Sequence, residues 1–196
     1  MQSTLDLTSL APAEPVALLA PRTLAGRAAL VVAASALVAA AAHISIPLYF
    51  TPVPLTLQTL AVLLVGLALG PVASFSAMVL YLVEGSAGLP VFSPHGLGLF
   101  GPTGGYLLSY PLLAVIAGWS VRVLARTMPR FPAAFVAGAL ASTVTLVLGP
   151  VWMAHQLHLS LAAAVHMGVT PFLPGDLIKV TAAATAYSAL RSAHRI

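Results

Sequence analysis

Charge is what this chain has least of. Its 196 residues include eight Lys and Arg and four Asp and Glu, or 6% charged. Soluble domains carry about 25% charged residues, so a water-covered globular surface is excluded. With 60% hydrophobic residues and a mean hydropathy of +1.02, the chain reads as an all-α integral membrane protein. Its length suits one helical bundle at about 20 residues per span. Cysteine is absent, which excludes disulfides and thiolate metal sites. No G-x-x-x-x-G-K-[ST] occurs, so a P-loop is excluded and any ATP dependence must come from a partner. Gly85-Ser86-Ala87-Gly88 lacks the G-x-S-x-G elbow, and no histidine lies in the last apolar segment, so an enzyme is not expected. His155 and His158, three apart on an expected helix, and His166 have no acidic residue near them in sequence. No metal or other cofactor is therefore expected.

What remains is a series of apolar segments. Six spans are expected, near Leu24 to Ala42, Leu55 to Leu69, Val72 to Glu84, Tyr106 to Leu124, Ala133 to Trp152 and Leu177 to Leu190. The second and third are short for a bilayer. The first follows Arg22 and Arg27 and has a signal-peptide-like outline, but only its removal would make it one, and an intact span orients the other five consistently. Residues 1–21, with Asp6, Glu14, three prolines and no basic residue, read as a disordered cytoplasmic tail before a six-helix domain over 22–196.

The basic residues are sorted. Arg22, Arg27, Arg122, Arg126, Arg130, Arg191 and Arg195 all fall on one side of such a bundle. The positive-inside rule makes that side, with both termini, cytoplasmic in a cell membrane. The net charge of +4 is thus a topology signal, not one for nucleic acid. The opposite connections are rich in Gly and Pro yet apolar: His43 to Pro54, Gly85 to Gly105 and Met153 to Gly175, the last with a short helix. Irregular apolar backbone at a membrane packs on protein or lines a cavity, so these outer loops are expected to cover a ligand pocket. The literal G-x-G-x-x-G at Gly96 to Gly101 has no strand before it and reads as turn glycines.

Lys179, the only lysine, breaks the arginine pattern. It lies at the outer entrance of the last span, three residues after Asp176, so the two share a helix face. A charge inside a bilayer costs about 2.5–3.5 kcal/mol on insertion scales and marks a functional site by default. Asp176 and Lys179 are therefore candidates to hold a polar ligand; an internal ion pair is the alternative. Glu84 is placed near the outer surface, with pairing to Lys179 or a place in the pocket as other options. Ala25, Ala29 and Ala33 form a small-residue stripe on the first span, suited to close approach of a partner helix.

Four motifs occur in order: Phe50-Thr51-Pro52-Val53-Pro54-Leu55-Thr56-Leu57-Gln58-Thr59-Leu60, Gly88-Leu89-Pro90-Val91-Phe92, Gly101-Pro102-Thr103-Gly104-Gly105-Tyr106-Leu107 and Pro174-Gly175-Asp176-Leu177-Ile178-Lys179. Together they resemble the BioY family of biotin transporters. The resemblance implies a six-helix substrate-binding S-component of an energy-coupling-factor transporter. Its partners would be biotin, a transmembrane coupling protein and two cytoplasmic ATPases. Asp176 and Lys179 match the family's polar binding pair. Val53, Pro54, Phe92 and Tyr106 are the candidate apolar walls for the thioether ring and aliphatic tail. An autonomous secondary transporter of biotin or another small vitamin is the competing reading.

Overall fold

A computed structural model describes residues 23–193. The expected tail over residues 1–21, with Arg22 and Arg195, lies outside the described residues. The helices are α1 (Leu24–His43), α2 (Gln58–Leu69), α3 (Pro71–Ser86), α4 (Gly104–Leu124), α5 (Arg130–Leu157), α6 (Leu161–Gly168) and α7 (Leu173–Ala193), with a short 3-10 turn at Thr170–Phe172. The strands β1 (Ser45–Ile46) and β2 (Leu55–Thr56) pair antiparallel, Ser45 opposite Thr56, and close the segment between them into a hairpin arm.

Local chemistry sets the boundaries. Thr23 caps α1 by accepting from the Gly26 amide at 3.1 Å, and Ser160 caps α6 by accepting from Ala163 at 3.3 Å. Gly70, at φ 78°, supplies the backbone turn between α2 and α3, and Pro71 opens α3 where no helical N–H is required. Two expectations are corrected. The last helix starts at Leu173 rather than near Leu177, because Pro174 is harmless in a first turn and Asp176 falls in that turn. His158 does not share a helix with His155: it ends α5 in the left-handed region, at φ 53°.

Among the described residues, four helical stretches are long and apolar enough to cross a membrane: α1, α4, α5 and the run Leu161–Ser192. At 12 and 16 residues, α2 and α3 are shorter. They sit among other helices. α2 packs on α1, α3, α4, α5 and α7, and most of its residues are buried. α4 contacts α2, α3 and α5, α5 contacts α6 and α7, and α1 lies at the margin against α2 and α3.

The bundle has two unlike ends. Arg27, Arg122, Arg126, Arg130 and Arg191 lie at or beyond the helix ends that meet at one of them. There α2 and α4 approach backbone to backbone. A Cβ on Gly66 would lie 2.7 Å from the Ala114 carbonyl oxygen, and one on Gly118 would lie 2.7 Å from the Gly66 carbonyl oxygen. The Arg122 guanidinium covers Gly70 on the turn below. At the other end stand the hairpin arm, the loop from 87 to 103, and α6 with its 3-10 turn.

Candidate ligand cavity

A cavity of about 720 Å³, counted out to open solvent, occupies the loop end. The hairpin arm contributes Val53 and Pro54, the long loop Phe92, α4 Tyr106, and α7 both Asp176 and Lys179. All six residues singled out as ligand candidates thus line one space, although they come from four separate stretches of chain.

The apolar wall is tied to neighbouring elements by hydrogen bonds and ring packing. Tyr106 is buried, and its hydroxyl donates to the Gly168 carbonyl at 2.9 Å, tying α4 to the end of α6. Phe92 stands edge-on to Tyr81 at 5.3 Å between ring centroids, and its ring lies against Gly85, where a side chain would collide with it. Trp152 donates to the Gly101 carbonyl at 2.9 Å and Gln156 to the Phe100 carbonyl at 2.7 Å, so α5 anchors the second half of the long loop. Ser45 Oγ lies 2.7 Å from His95 Nδ1, joining the hairpin arm to the same loop.

The charged pair is organised by neighbouring helices. The Ser142 hydroxyl of α5 lies 2.6 Å from both Asp176 carboxylate oxygens and donates to them. Lys179 Nζ donates to Thr59 Oγ1 of α2 at 3.0 Å. One hydroxyl hydrogen leaves most of the carboxylate's acceptor capacity unused, and an ammonium with three donors keeps two. Both groups therefore face the cavity with hydrogen bonds still to make, one as acceptor and one as donor. The alternative of a self-contained ion pair fits less well, since among the described residues each charge is hydrogen-bonded to a different helix.

Glu84 lies outside this wall. It is part-buried and accepts from the Ser35 hydroxyl of α1 at 2.5 Å, so it joins α3 to α1 and does not bond Lys179. The cavity lining is left with one carboxylate and one ammonium. Ala25, Ala29 and Ala33 are exposed along the free side of α1, away from the cavity.

Several polar wall residues were not singled out from the sequence: Gln58, Thr59, Ser93, Thr103, Ser142 and Thr145. Their signal was a hydroxyl or amide within an apolar segment. Such groups need a partner away from water, but a one-dimensional pattern does not say which face they take. Thr103 illustrates the structural share of this work, since it donates to the Gly98 carbonyl at 3.1 Å and accepts from the Leu97 amide at 3.2 Å.

Comparison with known proteins gives a consistent picture. A sequence model described as the BioY family matches residues 12–195. The biotin transporter BioY2 of Lactococcus lactis subsp. cremoris is 34% identical over 154 residues, covering 76% of this chain and 81% of the relative. The biotin transporter BioY of Thermotoga maritima is 36% identical over 153 residues, covering 76% and 86%. Among solved structures, a crystal structure described as the S-component for biotin from an ECF-type ABC transporter superposes with a TM-score of 0.77 at 22% identity, covering 86% of this chain and 92% of the other. At that identity the likeness establishes the fold.

Proposed function

The chain belongs to the BioY family, and we propose that it captures biotin in the loop-end cavity for uptake as the S-component of an energy-coupling-factor transporter. The observation that carries this reading is the Asp176–Lys179 pair, anchored by Ser142 and Thr59 with unused hydrogen-bonding capacity toward an apolar-walled space. Biotin's ureido ring offers two N–H donors and one carbonyl. Asp176 accepts from the donors, and Lys179 donates to a ligand oxygen, ureido or carboxylate. Val53, Pro54, Phe92 and Tyr106 cover the thioether ring and aliphatic tail. The naming of its relatives as biotin transporters supports the same ligand.

In this reading α1, α2, α3, α4, α5 and α7 all cross the cell membrane. Burial of α2 among neighbours supports a crossing by so short a helix, because protein rather than lipid satisfies its surroundings. The arginine end faces the cytoplasm with both termini, and the cavity faces outward. A coupling protein meets the exposed Ala25–Ala29–Ala33 face, whose small side chains allow close helix approach, and two cytoplasmic ATPases supply the energy.

Native mass spectrometry of the purified protein tests the ligand: an added mass equal to unchanged biotin is expected after incubation with a vitamin mixture. Labelled-biotin uptake in cells with and without an energising module tests the coupling. Uptake should require the module. Uptake by this chain alone, abolished by a proton ionophore, would replace the proposed coupling with secondary transport.

A further inference from the structure

One hydrogen-bonded chain runs from the cavity wall into the protein with a fixed direction. It ends at the Val91 carbonyl, which only accepts. Tyr81 OH therefore donates to it, at 3.0 Å. With its hydrogen committed, the Tyr81 oxygen accepts from Gln58 Nε2, at 2.5 Å. That contact turns the amide nitrogen of Gln58 toward Tyr81 and its oxygen toward Thr56, whose hydroxyl donates to Oε1 at 3.2 Å while accepting from the Gln58 backbone N–H at 3.3 Å. Every bond in the series agrees on one sense, and reversing the amide would set acceptor against acceptor at Tyr81 and donor against donor at Thr56.

Gln58 is 4% exposed and lines the cavity, whereas Tyr81 is fully buried behind it and is not part of the wall. The amide has a second hydrogen, for which the described residues provide no partner. A buried amide hydrogen without a partner is costly, and the cavity is where a partner can arrive. We propose that Gln58 is a specificity-determining residue that donates this hydrogen to an oxygen of the bound ligand, and that Tyr81 is the positioning residue that holds the amide in its donor sense. The wall then offers one acceptor station at Asp176 and two donor stations at Lys179 and Gln58, a pattern matching a ligand with N–H groups and carbonyl or carboxylate oxygens.

The inference rests on the biotin reading for its probe. Biotin is titrated calorimetrically into wild type, Gln58→Leu, Tyr81→Phe and the double variant, with thermal unfolding of each as a check on fold. Loss of the donor should weaken Gln58→Leu roughly tenfold. Tyr81→Phe keeps the ring and removes only the lock, so it should weaken binding several-fold in the wild-type background and not further in Gln58→Leu. Gln58→Glu, which keeps the shape but offers no second donor, should bind at least as weakly as Gln58→Leu. Losses that simply add in the double variant, or undiminished binding by Tyr81→Phe or Gln58→Glu, would overturn the inference while leaving the biotin assignment standing. Wild-type protein that does not bind biotin would overturn both.

Discussion

The same two helices, α2 and α4, behave differently at their two ends. Toward the arginine end Gly66, Ala114, Ala117 and Gly118 bring the backbones into contact. Toward the loop end Gln58, Thr59, Tyr106 and Tyr110 stand around an open space. Side-chain size decides the first and polarity the second. Between helices with no side chain beyond Cβ, packing is close and little polar remains to satisfy. Where hydroxyls and amides replace alanine and glycine, each needs a partner, and the groups left with spare capacity are those facing the cavity. A bundle closed at one end and hollow at the other is the arrangement a one-sided binding protein requires.

The sharpest way to break this contrast is to fill the closed end. Gly118→Leu places atoms where the Gly66 carbonyl and the α2–α3 turn already lie, and backbone rather than a flexible side chain must give way. Overpacking typically costs about 1–3 kcal/mol and more where backbone must move. The variant should be recovered as aggregated or strongly destabilised protein by size-exclusion chromatography and thermal unfolding. A normal melting temperature would mean that the two helices are less closely packed than described.

Changes at the hollow end should do the opposite, sparing the fold and removing the ligand. Asp176→Asn and Lys179→Met each delete a charge-assisted hydrogen bond worth about 1.5–3 kcal/mol, or roughly ten- to hundredfold in biotin affinity. Folded variants with unchanged affinity by calorimetry would return the pair to a structural role. Ser142→Ala is milder. It removes the donor that orients Asp176 but leaves the carboxylate, so affinity should fall by about 1 kcal/mol, roughly fivefold. A loss as large as that of Asp176→Asn would instead assign Ser142 a direct ligand contact.

The smallest effect on binding belongs to the free face of α1. Ala29→Trp touches neither end of the contrast and should leave biotin affinity within about twofold, the scale of a surface change. Co-purification with the proposed coupling protein should nevertheless be lost, because an indole blocks close helix approach. Wild-type recovery of the complex would move the docking face elsewhere.

Much of this was legible in the chain because a membrane simplifies the code. Apolar runs broken by Gly, Pro and Arg located the helices, and a lone lysine beside an aspartate stood out against them. The rest depended on rotation and distance. Ser142 meets Asp176 across 34 positions and Thr59 meets Lys179 across 120, through faces that an alanine-rich, uniformly apolar helix does not mark. Glu84 reads from sequence as an acid near the outer surface, with Lys179 or the pocket as other options, whereas its partner Ser35 lies 49 positions away on a helix with no amphipathic stripe to reveal its inner face. Pro174 reads as a break, yet in a first helical turn it breaks nothing.

The central claim is that the hollow end is a biotin site. Titration calorimetry of biotin into the purified wild-type protein tests it most directly. The account predicts saturable binding of one biotin per chain, undiminished by an excess of other vitamins. Heats indistinguishable from dilution, or displacement of biotin by an unrelated vitamin, would contradict it.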